Sequence, residues 1–290
     1  MKRIALLLAA LLIIFTTAGC SLDTNGTTIA TTTLPVYEFT SYLCQNTDLH
    51  VVRLITEEVS CLHDYTLQVK QMRTIEQAEL VVISGAGLED FLDDALHASH
   101  SILDASKGID FHHSSSDHEH EGHTHSEDPH IWLSPKIAKQ MAHNICDSLL
   151  EKYPQHSQIF SSNLARLDLK FDELIQYSVA ELTTLSKREL ITFHDGFSYL
   201  ADAFDLTILH AIEEESGSEA SAAELIELAN IVTTHNVNAI FTEKNGSRAA
   251  ASIISAETGA TIYELDMALS GDSYFTAMYH NIDTLKEALK

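Results

Sequence analysis

No glycine or proline interrupts residues 155–185. Within that stretch Phe160, Leu164, Leu167, Phe171 and Leu174 recur at three- and four-residue intervals, and Ile175, Val179 and Leu182 continue the stripe. This period is that of the apolar face of an α-helix. At 1.5 Å per residue, one helix of that length reaches roughly 45 Å, enough to cross a whole lobe. The alternative is two shorter core helices that part near Ser178. On either side, short β-branched runs alternate with helical patterns. Strands are expected at 27–34, 49–55, 80–84 and 101–104, and helices at 35–44, 67–78, 88–96 and 135–151. The rhythm restarts with strands at 189–193, 206–210, 239–242 and 261–264, interleaved with helices at 197–204, 220–235, 247–257 and 273–289. Strands alternating with helices specify parallel sheet. The expected fold is therefore α/β, two parallel-sheet lobes joined by a long rigid helix. The lobes span 29–153 and 187–290, and the connecting helix 154–186. A chain of 290 residues is long enough for two ordinary cores.

Within the first expected lobe lies HHSSSDHEHEGHTHSEDPH, residues 112–130. It carries His112, His113, His118, His120, His123, His125 and His130, with Asp117, Glu119, Glu121, Glu127 and Asp128 among them. It has no Lys, no Arg and no apolar side chain, so it cannot bury a core. Imidazole is the commonest protein ligand for zinc-like metals, and a tract of this composition reads as metal-binding. The plainer reading is a solvated polar loop. A net charge of −25 argues against a nucleic-acid partner, whose phosphates require Lys and Arg. A second acidic segment, 213–219, reads as a solvated loop.

The first twenty residues read as an export signal. Lys2 and Arg3 precede a continuous apolar run at 4–15, too short for a comfortable bilayer span. Thr17-Ala18-Gly19-Cys20 then resembles a bacterial lipobox, with Thr17 where leucine is usual. Cys20 is the expected lipid attachment site, 21–28 a tether, and the protein extracytoplasmic and anchored to the cell membrane by its lipid. Without lipidation it would be periplasmic or secreted. Cys44, Cys61 and Cys146 do not make a disulfide framework. Buried or free thiols are expected, with a Cys44–Cys61 bridge as the second choice.

Ligands bind beyond the carboxyl ends of parallel strands. His194 follows one expected strand directly and Asp266 another, while His63 lies in the loop after 49–55 and His130 closes the His-rich tract. Three imidazoles and a carboxylate suit four-coordinate Zn²⁺. On spacing alone, residues so far apart are more often unrelated side chains, each with an ordinary hydrogen-bond partner.

Four local motifs bear on that choice. They are Ser60-Cys61-Leu62-His63-Asp64-Tyr65 with Gly85-Ala86-Gly87-Leu88-Glu89 beyond it, then Asp128-Pro129-His130-Ile131-Trp132-Leu133-Ser134-Pro135, then Thr192-Phe193-His194-Asp195-Gly196-Phe197-Ser198-Tyr199, and last Leu265-Asp266 followed by Gly271-Asp272-Ser273-Tyr274. In this order they resemble the metal-binding receptors of bacterial metal ABC importers, the cluster of zinc, manganese and iron receptors. The resemblance runs from about residue 28 to 290. It implies His63, His130, His194 and Asp266 as ligands, Asp266 less securely because some zinc members leave that place to water. His194, where the manganese branch commonly has a carboxylate, and the His-rich loop both favour zinc. Thr66 departs from zinc members that carry an acid at that place. The implied function is a monomeric zinc receptor, not an enzyme, that delivers Zn²⁺ to a membrane permease. The alternatives are a manganese or iron receptor, a zinc hydrolase with Glu243 as its base, and a surface adhesin with structural metal. His112, His113, His118, His120, His123 and His125 are expected to form an auxiliary metal tract.

Overall fold

The computed structural model describes residues 27–59, 62, 65–96, 101–110, 128–212 and 220–290. Two four-stranded sheets, every pairing parallel, lie on either side of one long helix. The first sheet contains β1 (Thr28–Thr31), β2 (His50–Arg53), β3 (Leu80–Ile83) and β4 (Ile102–Asp104), in the order β2-β1-β3-β4. The second contains β5 (Glu189–Thr192), β6 (Thr207–Ala211), β7 (Ala239–Glu243) and β8 (Thr261–Leu265), in the order β6-β5-β7-β8. The helices are α1 (Leu34–Leu43), α2 (Val69–Gln77), α3 (Asp93–Leu96), α4 (Pro135–Lys152), α5 (Ser157–Leu182), α6 (Ser198–Ala203), α7 (Ala222–Thr234), α8 (Ala249–Thr258) and α9 (Tyr274–Leu289).

The expected elements form, for reasons visible in the chain. Helices cover both faces of each parallel sheet, so β3 is apolar along its length and all five side chains of β7 are buried, polar Thr242 and Glu243 included. Pro35 and Pro135 sit in the first turns of α1 and α4, where a missing N–H costs nothing. Ser221 and Glu224 form a capping box on α7, and Gly259 ends α8 in the left-handed conformation. The helix expected at 88–96 is instead a 3-10 turn, Asp90–Leu92, and the single turn of α3. Its first turn is absent because the Glu89 side chain is drawn back to the end of β3 by the Ser84 and Gly85 amides.

Helix α5 is unbroken past Ser178, whose hydroxyl bonds within the helix to the Ile175 carbonyl at 2.8 Å. Its 26 residues extend about 39 Å. It does not bridge open space. It lies along α1, α4 and α9 and buries Phe160, Asn163, Leu167, Phe171, Leu174, Ser178 and Leu182. The stripe is turned slightly from the apolar pattern: Val179 is exposed, while Asn163 is buried and donates to the Leu43 and Gln45 carbonyls at the end of α1. Phe39 of α1, Phe171 of α5, and Tyr274 and Phe275 of α9 stack on one another. One core is therefore continuous from Ile29 and Val81 through Trp132 and Phe171 to Leu190 and Leu265. A smaller core, including Ile191, Leu228, Ile240 and Ile254, lies in the second lobe. Cys44 and Cys146 are buried free thiols, and burial pushes Cys44 up to about 12. Among the described residues no helix is long and apolar enough to cross a membrane. The export signal, Cys20, Cys61, His63, the histidines from His112 to His125 and the acidic segment 213–219 lie outside the described residues.

Candidate metal centre

Each sheet changes direction of winding between its two central strands, β1/β3 in the first lobe and β5/β7 in the second. Such switch points open a crevice at the strands' carboxyl ends. In the second lobe His194 emerges there, two residues past β5, and Glu243 closes β7. Their side chains meet, His194 Nδ1 to Glu243 Oε1 at 3.2 Å. The turn after His194 requires glycine for close approach. A Cβ on Gly196 would lie 2.6 Å from His194 Nε2 and 2.7 Å from Met267 Cε, both within repulsive range.

The partner imidazole comes from the first lobe. Asp128 stands two residues before His130, so one carboxylate oxygen can reach both the backbone and the ring. Asp128 Oδ1 accepts the His130 N–H at 2.9 Å and lies 2.8 Å from His130 Nδ1. Asp128 Oδ2 accepts the Ser198 hydroxyl from α6. Burial raises the Asp128 carboxyl, but the hydrogen bonds and charge of the His130 ring, the Ser198 hydroxyl and the His130 amide outweigh it and hold the group below the usual carboxylate range. Trp132 packs edge-on against the His130 ring and donates its indole N–H to the Met267 carbonyl at 2.8 Å; Tyr274 donates its hydroxyl to the Trp132 carbonyl at 2.8 Å. The 3-10 turn Ile131–Leu133 is thus pinned to the second lobe on both sides.

The two rings face one another, with centroids 5.2 Å apart and planes at 82°. Both histidines have Nδ1 against a carboxylate, which fixes the tautomer that offers Nε2. Two imidazoles on one tetrahedral zinc, bonded at about 2.0–2.1 Å through Nε2, have ring centres about 5 Å apart. The observed pair fits that requirement.

Asp266 is placed differently. It follows β8 and is buried, with its backbone held by Asn281 at 2.7 and 2.8 Å. Its Oδ1 accepts the Ala268 N–H at 2.8 Å, and its Oδ2 lies 2.9 Å from Lys244 Nζ. That hydrogen bond pushes the Lys244 ammonium up. For Asp266 to ligate a metal through Oδ2, Lys244 must yield it. Among the described residues no group of three His, Cys, Asp or Glu side chains has metal-holding geometry. Of the described residues flanking His63, Leu62 is buried, and Tyr65 donates to Glu57 at 2.8 Å and accepts from Gln71 at 2.6 Å.

Asp128 and Ser198 join the site as supports that sequence spacing does not single out as ligands. The Asp-x-His spacing was the available signal for Asp128. Glu243, weighed as a hydrolytic base, faces His194 Nδ1.

The profile of the zinc-uptake complex component A family, periplasmic ZnuA, matches residues 29–288. The chain belongs to this family. It is 30% identical to the zinc-binding lipoprotein AdcA of Streptococcus pneumoniae over 99% of its own length, and spans 61% of the length of that relative. It is 29% identical to a Treponema pallidum protein named for metal binding, covering 99% of this chain and 97% of the other. The Zn(II)-bound ZnuA-like domain of Streptococcus pneumoniae AdcA superposes with a TM-score of 0.76 at 28% identity, covering 91% of this chain and 99% of that one. The two-lobed α/β architecture is thus the fold of the ZnuA family.

Proposed function

We propose that this chain is an extracytoplasmic zinc receptor that delivers Zn²⁺ to the membrane permease of a metal ABC importer. The observation that carries the reading is the facing pair His130 and His194, one from each lobe, each with Nδ1 against a carboxylate. Membership in the ZnuA family and the likeness to a Zn(II)-bound domain support zinc as the cargo. A nitrogen-rich set favours zinc over manganese, which prefers oxygen donors.

His63 completes a three-imidazole set in this reading, and Asp266 is the fourth ligand when Lys244 releases it. Residues 1–20 are the export signal, Cys20 carries the lipid, 21–28 is the tether, and the receptor works as a monomer. The lobes take 29–153 and 187–290, with 154–186 as connector. The histidines from His112 to His125 form an auxiliary tract that gathers metal near the cleft. The receptor binds without turnover in this reading, with Glu243 orienting His194 rather than serving as a base.

Lobe movement is modest in this reading. Arg53 donates to the Gly271 carbonyl at 2.9 Å, Asn245 to Glu58 at 3.0 Å and Ser273 to Glu38 at 3.1 Å, all across the junction. Competition calorimetry on the mature protein tests the proposal with wild type, a deletion of 112–125 and His194→Ala. Zinc affinity survives the deletion and collapses in His194→Ala. Full affinity in His194→Ala removes the proposed site, and manganese outcompeting zinc at equal free concentration removes the proposed metal.

A further inference from the structure

The two histidines are mounted in different ways. Glu243, which faces His194, sits on β7, the strand beside β5 in the same sheet. Both members of that pair belong to the second lobe. His130 rests on Asp128, and Asp128 in turn on Ser198, which belongs to the other lobe. Ser198 is the first residue of α6, yet the helix takes no side-chain cap, and the Ser198 hydroxyl points across the junction instead. Asp128 and His130 are both almost fully buried. Asp128 accepts three hydrogen bonds: the His130 amide and ring to one oxygen, the Ser198 hydroxyl to the other.

We propose that Ser198 is a positioning residue that governs metal release. By holding Asp128 from the opposite lobe it locks the His130 ring in its ligating pose. A small shift of α6 that withdraws that hydroxyl frees Asp128 to turn and carry the His130 ring out of line. The metal loses His130 first and stays briefly on His194, whose carboxylate belongs to the same lobe. Release therefore has an order set by which mount crosses the junction. Outer-shell partners of metal-bound histidines commonly change affinity 10–100-fold, so the contact is large enough to govern residence time.

The inference rests on His130 being a ligand, and the experiment separates the two. Zinc dissociation from the full chain is followed by stopped flow with a chelator in excess, for wild type, Ser198→Ala, Ser198→Thr and His130→Ala. Thermal unfolding of each metal-free variant is measured in parallel. Ser198→Ala is expected to release zinc about tenfold faster, at an unchanged association rate. Ser198→Thr, which keeps the hydroxyl, restores the wild-type rate. The Co²⁺ form of Ser198→Ala shows an altered ligand-field spectrum, which a loss of stability alone does not produce. Wild-type dissociation in Ser198→Ala, or a lowered melting temperature with no change in rate or spectrum, overturns the proposal. If His130→Ala itself keeps full zinc affinity, the site reading fails instead.

Discussion

The two sheets have the same strand order, and each has a glutamate at its switch point, but the two glutamates do opposite work. In the first lobe Glu89 is fully enclosed. It accepts the Thr32 hydroxyl at 2.6 Å, the Ser84 amide at 2.7 Å and the Gly85 amide at 2.9 Å, and so ties the end of β1 to the end of β3. In the second lobe Glu243 faces an imidazole that must present its other nitrogen outward. One crevice is sealed by its carboxylate; the other is armed by it. A shared topology thus supplies two equivalent places, and side-chain chemistry decides which becomes a site.

Substitutions at these two places should separate stability from metal binding. The largest effect is expected in Glu89→Ala, which strands three buried donors. Urea unfolding should show a loss of roughly 3–5 kcal/mol, with zinc affinity of the folded fraction unchanged. A fall in affinity equal to that of His194→Ala would erase the distinction between the crevices. Gly196→Ala comes next. Its Cβ drives into the His194 ring and Met267. Overpacking there costs roughly 1–3 kcal/mol, and calorimetry should find weakened zinc binding because the ring must leave its pose. In Glu243→Gln, zinc affinity should fall about tenfold with little change in the unfolding midpoint.

The remaining effect is a pH dependence that arises in the first lobe. Burial, offset only in part by the three hydrogen bonds, pushes the Glu89 carboxyl up to about 7 from an ordinary 4.5. Between those values the folded chain binds more protons than the unfolded one. Its stability therefore falls as pH rises from about 4.5 through 7, and the lost part returns on acidification. Urea midpoints across that range should show this slope in wild type and lose it in Glu89→Gln.

Much of the fold was readable because parallel strands covered on both faces carry short apolar runs, as Leu80–Ile83 does throughout and β7 does at Ala239, Ile240 and Phe241. The helix expected at 88–96 failed because nothing local shows that Glu89 is drawn to Ser84 and Gly85 rather than left in a helical turn. Asn163 was hidden in the same way: its worth lies in two carbonyls more than a hundred positions away. At the site, His130 and His194 could be named from their motifs. Their supports could not, apart from the Asp128-Pro129-His130 spacing. Ser198 reaches Asp128 across 70 residues, and Lys244 meets Asp266 across 22, distances over which spacing carries no periodic signal.

The most direct measurement is zinc K-edge absorption spectroscopy on the chain lacking 112–125, loaded with one equivalent of Zn²⁺. The expected spectrum shows imidazole ligands at about 2.0–2.1 Å, with one imidazole lost in His130→Ala and one in His194→Ala. An imidazole count that stays at the wild-type value in both variants would contradict the placement of zinc between the two lobes.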